Sequence, residues 1–309
     1  YMQSLQRKMP YLKLADYSRV IERRKKFMSS IVSIFFVLFL WWFLTGVILY
    51  TAKRLDLGDS KTRFTVVLVT LPLFFCAWYF YFYCLDGMSY AEIFCSFLAS
   101  LFIWGWVELT FLTGVVAGIP LLEKQEIDGD TERERFVNGF RSIALNECFL
   151  LSCLFIMAVM SIGSENNFGL TTFLILYVAR VSAKLNLFFG VPYINLHFLT
   201  VPLKHIATFC RVAPIGFFFI ASTVMLCLMF LFLVGFTFAA EPMSDIQFGY
   251  LLLSTLAGLA VLEHLFMALP VKDATLWNWM LPNLRKSSDV LSLAETKANF
   301  PKESKNELR

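Results

Sequence analysis

The sequence predicts an all-α fold, a polytopic transmembrane bundle of about seven helices. Three observations predict it. Hydrophobic residues make up 58% of the 309-residue chain and charged residues 16%, against about 25% charged in an ordinary globular domain. Seven apolar stretches are long enough to cross a bilayer, which takes about 20 residues each. The loops between them also divide sharply by Lys and Arg content. So much apolar surface leaves too little polar surface to cover a water-exposed body. A porin-type barrel needs a polar alternation that is absent. Soluble enzymes, disordered regulators and barrels are thereby excluded.

The stretches are Met28–Tyr50, Phe64–Tyr83, Ala91–Ile119, Ser142–Ile162, Phe168–Phe189, Ile215–Ala240 and Phe248–Leu269. Only helices satisfy the backbone in such runs. The first is too long for the apolar core of a signal peptide, and no small-residue cleavage site follows it. One membrane domain therefore spans 28–282, between a basic tail at 1–27 and a polar, flexible tail at 283–309. Within it, the connection Gly190–Pro214 contains Pro192, Pro202 and Pro214, which break any long helix. Its apolar residues, among them Ile194, Leu203 and Phe209, predict an interfacial or re-entrant segment.

Orientation follows from basic residues. The loops Cys84–Tyr90, Gly163–Asn167 and Glu241–Gln247 carry no Lys or Arg. The opposite side collects Lys53, Arg54, Lys61, Arg63, Lys124, Arg133, Arg135, Arg141, Lys204, Arg211 and the basic residues of the C-terminal tail. That side is read as cytoplasmic, with the C-terminus on it. The N-terminal tail, with Arg23-Arg24-Lys25-Lys26, opposes this assignment for its own side.

Seven cysteines occur without a C-x-x-C pair, so they are read as apolar packing thiols rather than a disulfide framework or zinc site. Gly114 and Gly118 form a G-x-x-x-G that could seat a close helix contact. No phosphate-binding, nucleophile-elbow or metalloprotease motif occurs, and nothing argues for nucleic-acid binding. Membrane lipid is the partner that composition alone implies.

Ionisable groups inside spans are costly, and each is a functional candidate. Glu108 lies mid-span and must be protonated, paired or coordinating. Glu147 is one turn into the fourth span. Arg180 and Lys184 are four apart on one helical face. They can snorkel to lipid phosphates, pair with Glu108 or Glu147, or hold an anionic ligand. Asn186 and Glu263 complete the set of buried polar candidates. His264 follows a turn of small residues, Ser254, Ala257 and Ala260, and a group on a helical residue lies over the preceding turn. The Ala260-x-x-x-His264 spacing is similar to the chlorophyll-ligating spacing of bacterial antenna polypeptides, where the small residue leaves room for the macrocycle. A bacteriochlorophyll or related tetrapyrrole ligand is one reading of His264. A hydrogen bond in a tight helix interface, or to Glu263, is the other.

Several strings carry a family resemblance. Arg180-Val-Ser-Ala-Lys-Leu-Asn-Leu-Phe-Phe-Gly-Val-Pro192 resembles the most characteristic stretch of the PuhE-type photosynthetic-complex assembly proteins of purple phototrophic bacteria. Leu262-Glu-His-Leu-Phe-Met-Ala-Leu-Pro270, with Asp273-Ala274 and Leu276-Trp277-Asn-Trp279-Met280, does so too. Trp41-Trp-Phe-Leu-Thr-Gly46 and Trp104-Gly-Trp-Val-Glu108 look like that family's first and third spans. The loop Leu121–Arg141 and both tails match nothing in it. The resemblance implies a multi-pass protein of the bacterial inner (intracytoplasmic) membrane. It would support assembly of the reaction centre and core light-harvesting complex, with their subunits or pigment-synthesis proteins as partners. The alternative it leaves open is a membrane subunit or carrier for a late step of bacteriochlorophyll synthesis or delivery. It supplies no catalytic residue, and three scattered His offer no redox-metal set. A non-enzymatic role is expected.

Overall fold

The computed structural model describes residues 30–56, 58–116, 131–194 and 199–270. The tails expected at 1–27 and 283–309, the loop residues 117–130 and His197 lie outside these. The described residues form seven helices long and apolar enough to cross a membrane: α1 (Ser30–Leu55), α2 (Ser60–Tyr83), α3 (Tyr90–Thr113), α4 (Glu132–Met160), α5 (Phe168–Phe189), α6 (Phe217–Ala239) and α7 (Asp245–Ala268). This multi-pass all-helical architecture is the one the apolar runs predict.

The two helix ends that depart furthest from those runs each do so because of a cap. α3 stops at Thr113 instead of reaching Ile119. Gly114 adopts a left-handed φ of 67°, and the N–H groups of Gly114 and Val115 close back onto Phe111 and Thr110 carbonyls. Gly114 thus ends a helix and cannot belong to a helical G-x-x-x-G face. α4 begins ten residues before the apolar run at Ser142. A capping box starts it: the Thr131 hydroxyl accepts from the Glu134 N–H at 3.2 Å, and the Glu134 carboxylate accepts from the Thr131 N–H at 3.1 Å. Glu92 does similar work at the start of α3, accepting from the Ser89 N–H at 3.0 Å.

The helices alternate, so the C-terminal ends of α1, α3, α5 and α7 meet the N-terminal ends of α2, α4 and α6 at one end of the bundle, the end rich in Lys and Arg. α3 is the central element. In its most apolar stretch 61% of residues are buried, against 11% in α1, which therefore meets lipid along most of its surface. Two clusters of buried side chains flank α3. One joins Tyr81, Ile103, Leu150, Met157 and Phe173 across α2, α3, α4 and α5. The other joins Val37, Phe97, Ile175, Leu233 and Leu252 across α1, α3, α5, α6 and α7. The α3–α5 approach depends on Gly169. A Cβ there would collide with Ser96, Tyr81 and Ser100, and the Ser100 hydroxyl donates to the Gly169 carbonyl at 2.8 Å.

The proline-broken connection folds across the basic end as a 3-10 helix, Val201–Phe209, with fully buried Leu203 packed against Phe111 of α3. Hydrogen bonds tie it to the neighbouring helix ends. Lys53 donates to the Leu199 carbonyl at 2.5 Å, Thr200 to the Leu112 carbonyl at 2.5 Å, and Arg135 to the Phe209 and Phe188 carbonyls at 3.2 Å each. The Tyr193 N–H reaches the Met267 carbonyl at 3.2 Å. The connection thereby ties five helix ends together. It also roofs the space between them.

Candidate functional site

That space is a chamber of about 1080 Å³ between α1, α3, α4, α5 and α7 and the connection. Its walls are mainly apolar and aromatic, with Trp41, Trp104 and Phe266 among them. Its charged groups are Glu108, Arg180, Lys184 and Glu263. Glu108, Lys184 and Glu263 each lie five residues before the last residue of their helix, which puts them at one level, roughly 7–8 Å inside the helix ends. Arg180 is one turn deeper.

The cations have separate carboxylate partners. Arg180 Nη2 donates to Glu108 Oε2 at 2.7 Å, tying α5 to α3. Lys184 Nζ donates to Glu147 Oε1 at 2.5 Å, tying α5 to α4, and lies 5.1 Å from the Phe111 ring centroid. Glu108 and Glu147 are both buried. The Arg180 side chain keeps 36% exposure and lines the chamber. Of the alternatives the sequence allowed for this pair, carboxylate pairing is the arrangement seen.

Glu263 is different. It is exposed, and among the described residues it makes no ion pair. The Trp41 indole N–H is directed at its carboxylate, and the Arg180 charge lies near enough to act on it. Three carboxylates thus meet two cations, and the surplus acid stands on the chamber wall. Sequence reasoning did not single out Trp41. Its mid-span position, away from the interfacial belt that Trp favours, was the available signal.

His264 turns the other way. It is fully buried and does not line the chamber. Nδ1 faces the Ala260 carbonyl at 2.9 Å and Nε2 faces the Ser182 hydroxyl at 2.7 Å. With the proton on Nδ1 donated to Ala260, Nε2 accepts from Ser182, and neither nitrogen is open to a metal. The small residues before it are occupied as well: Ala260 packs with Ala179 of α5 and Leu226 of α6. In this geometry His264 is a hydrogen-bonded interface residue, the second of the two readings its sequence position allowed. Asn186 is likewise a packing contact outside the chamber, donating to Ser222 of α6 at 2.9 Å.

At the roof, the Val201 N–H donates to Asp56 Oδ1 at 2.9 Å, and Lys53 Nζ lies 3.6 Å from Asp56 Oδ2. Burial raises the Asp56 carboxyl above its ordinary value, more than the Val201 and Lys53 contacts lower it. The chamber offers aromatic walls to an apolar body, and a carboxylate and a guanidinium for polar contact.

Comparison with known proteins gives two matches. The family described as Protein of unknown function (DUF3623) matches residues 27–288. A protein of Rhodobacter capsulatus, described as an uncharacterized 30.4 kDa protein in the puhA 5′ region, is 40% identical over 258 residues, 82% of this chain and 92% of that relative. No solved structure matches the chain.

Proposed function

This chain belongs to the DUF3623 family, and we propose that it is an integral membrane factor supporting assembly of the bacterial photosynthetic reaction centre and core light-harvesting complex. The observation that carries this reading is the relative whose description sets it in the puhA 5′ region, which suggests a photosynthesis gene cluster. The PuhE-type strings noted above point the same way, and they fall within the matched residues. The protein then sits in the intracytoplasmic membrane with its C-terminus in the cytoplasm. Its partners are reaction-centre or core-antenna subunits, or the proteins that make their pigment.

The chamber supports a pigment-holding form of this role. Sites for drug-sized ligands span about 300–1,000 Å³, and at about 1080 Å³ this one suits a larger amphiphile. Bacteriochlorophyll, or a late precursor, has a broad apolar body and one metal centre, for which a single donor suffices. The residues present fit it if the donor comes from the chamber wall and not from His264.

Deletion of the gene in a phototrophic host tests the role. Assembled reaction-centre and core-antenna complexes should fall while the transcripts encoding their subunits persist. Accumulation of one specific bacteriochlorophyll precursor would favour instead a subunit or carrier for a late synthetic step.

A further inference from the structure

We infer that Glu263 is the axial donor for the magnesium of a tetrapyrrole held in the chamber, with Trp41 positioning its carboxylate. The inference rests on the pigment-holding part of the reading above and names the residue that would do the holding. A chlorin magnesium takes one donor from outside the macrocycle plane. That donor must be exposed to the cavity, outside an ion pair, and fixed in direction.

His264 fails the first of these requirements. Both its nitrogens are engaged and its ring is fully buried. Glu108 and Glu147 are buried in ion pairs with Arg180 and Lys184. Glu263 is exposed, lines the chamber, and makes no ion pair among the described residues. An anion in that setting is costly unless something neutralises or coordinates it, and magnesium favours oxygen donors. One carboxylate oxygen can receive the Trp41 indole N–H while the other faces the metal. This is the outer-shell support that orients metal ligands generally. Trp104 and Phe266 supply flat walls on the same chamber. The nearby Arg180 charge acts against the charge that a carboxylate keeps when it binds a neutral magnesium chlorin.

The test uses the full chain purified in mild detergent and titrated with bacteriochlorophyll a and, separately, with magnesium-free bacteriopheophytin a. Absorbance bands sensitive to magnesium coordination are read alongside affinity. Wild type should prefer the magnesium pigment. Glu263→Leu should erase that preference, and Glu263→His, which supplies another donor at the same place, should restore it. Trp41→Phe should weaken magnesium-pigment binding about 10-fold, the lower range for loss of an outer-shell partner. His264→Gln, which keeps polar atoms toward Ser182 and Ala260, should leave the preference intact. Retention of the preference in Glu263→Leu, or its loss in His264→Gln alone, would overturn the assignment while leaving pigment binding itself standing. Equal binding of both pigments by wild type would sink the assignment and leave the pigment-holding form standing, whereas binding of neither would sink both. The assembly role would still be decided by the deletion.

Discussion

Lys184 of α5 reaches across to Glu147 of α4 at 2.5 Å, and one turn earlier Arg180 reaches the other way, to Glu108 of α3 at 2.7 Å. Residues four apart on one helix thus hold two different neighbours. Breaking a buried pair from one side leaves an uncompensated charge, at a cost of about 3–5 kcal/mol. Lys184→Ala and Glu147→Leu should each markedly lower the thermal stability of purified protein. The double variant Lys184→Met/Glu147→Leu should recover most of the loss. Near-neutral single variants would show that Lys184 reaches lipid phosphates instead.

Gly169→Ala should separate α5 from α3. The added methyl meets Ser96, Tyr81 and Ser100, and overpacking of this kind typically costs about 1–3 kcal/mol. Ser100→Gly, made together with it, removes one of the colliding atoms and should return part of the stability. An unchanged melting temperature in Gly169→Ala would mean the two helices can part without cost.

Arg135 holds two carbonyls at once and stacks its guanidinium 4.1 Å from the Phe188 ring centroid. Lysine cannot reproduce a planar fork or that stacking. Arg135→Lys should therefore expose the 190–214 connection to protease in detergent, with little change in the helices' own protection. Equal cleavage rates would remove Arg135 from the roof.

The roof should also loosen in acid. Burial lowers the His205 pKa below its ordinary value of 6.5, opposed only by the Pro202 carbonyl contact. The folded state therefore favours neutral imidazole, while an unfolded segment binds a proton near the ordinary value. The stability this contributes is present above pH about 6.5 and is lost as pH falls toward the lowered value. Hydrogen exchange in 201–209 should quicken across that window in wild type and less so in His205→Gln. A flat profile in wild type would exclude the switch.

Orientation can be read by labelling single cysteines in intact cells, in a background with the native ones replaced. Positions in Gly163–Asn167 and Glu241–Gln247 should react with an impermeant reagent, and positions after Lys286 should not. Reaction of the C-terminal tail would invert the topology.

The sequence by itself determined the class and the count of spans, because a run of about 20 apolar residues has one way to satisfy its backbone in lipid. It also placed every chamber charge on its helix. Helix ends were less legible. Thr131 with Glu134, and Gly114 with its left-handed backbone, act through local hydrogen bonds that hydropathy does not register. Only the tertiary structure decided between neighbours such as Glu263 and His264. Adjacent residues on a helix point roughly 100° apart, and which of them meets a cavity depends on the rotation of α7. That rotation is set by packing against α5 and α6, through Ala179, Leu226 and Ala260. The same packing turns the histidine, the residue that looked most like a ligand, into the interface and leaves the carboxylate beside it on the chamber wall.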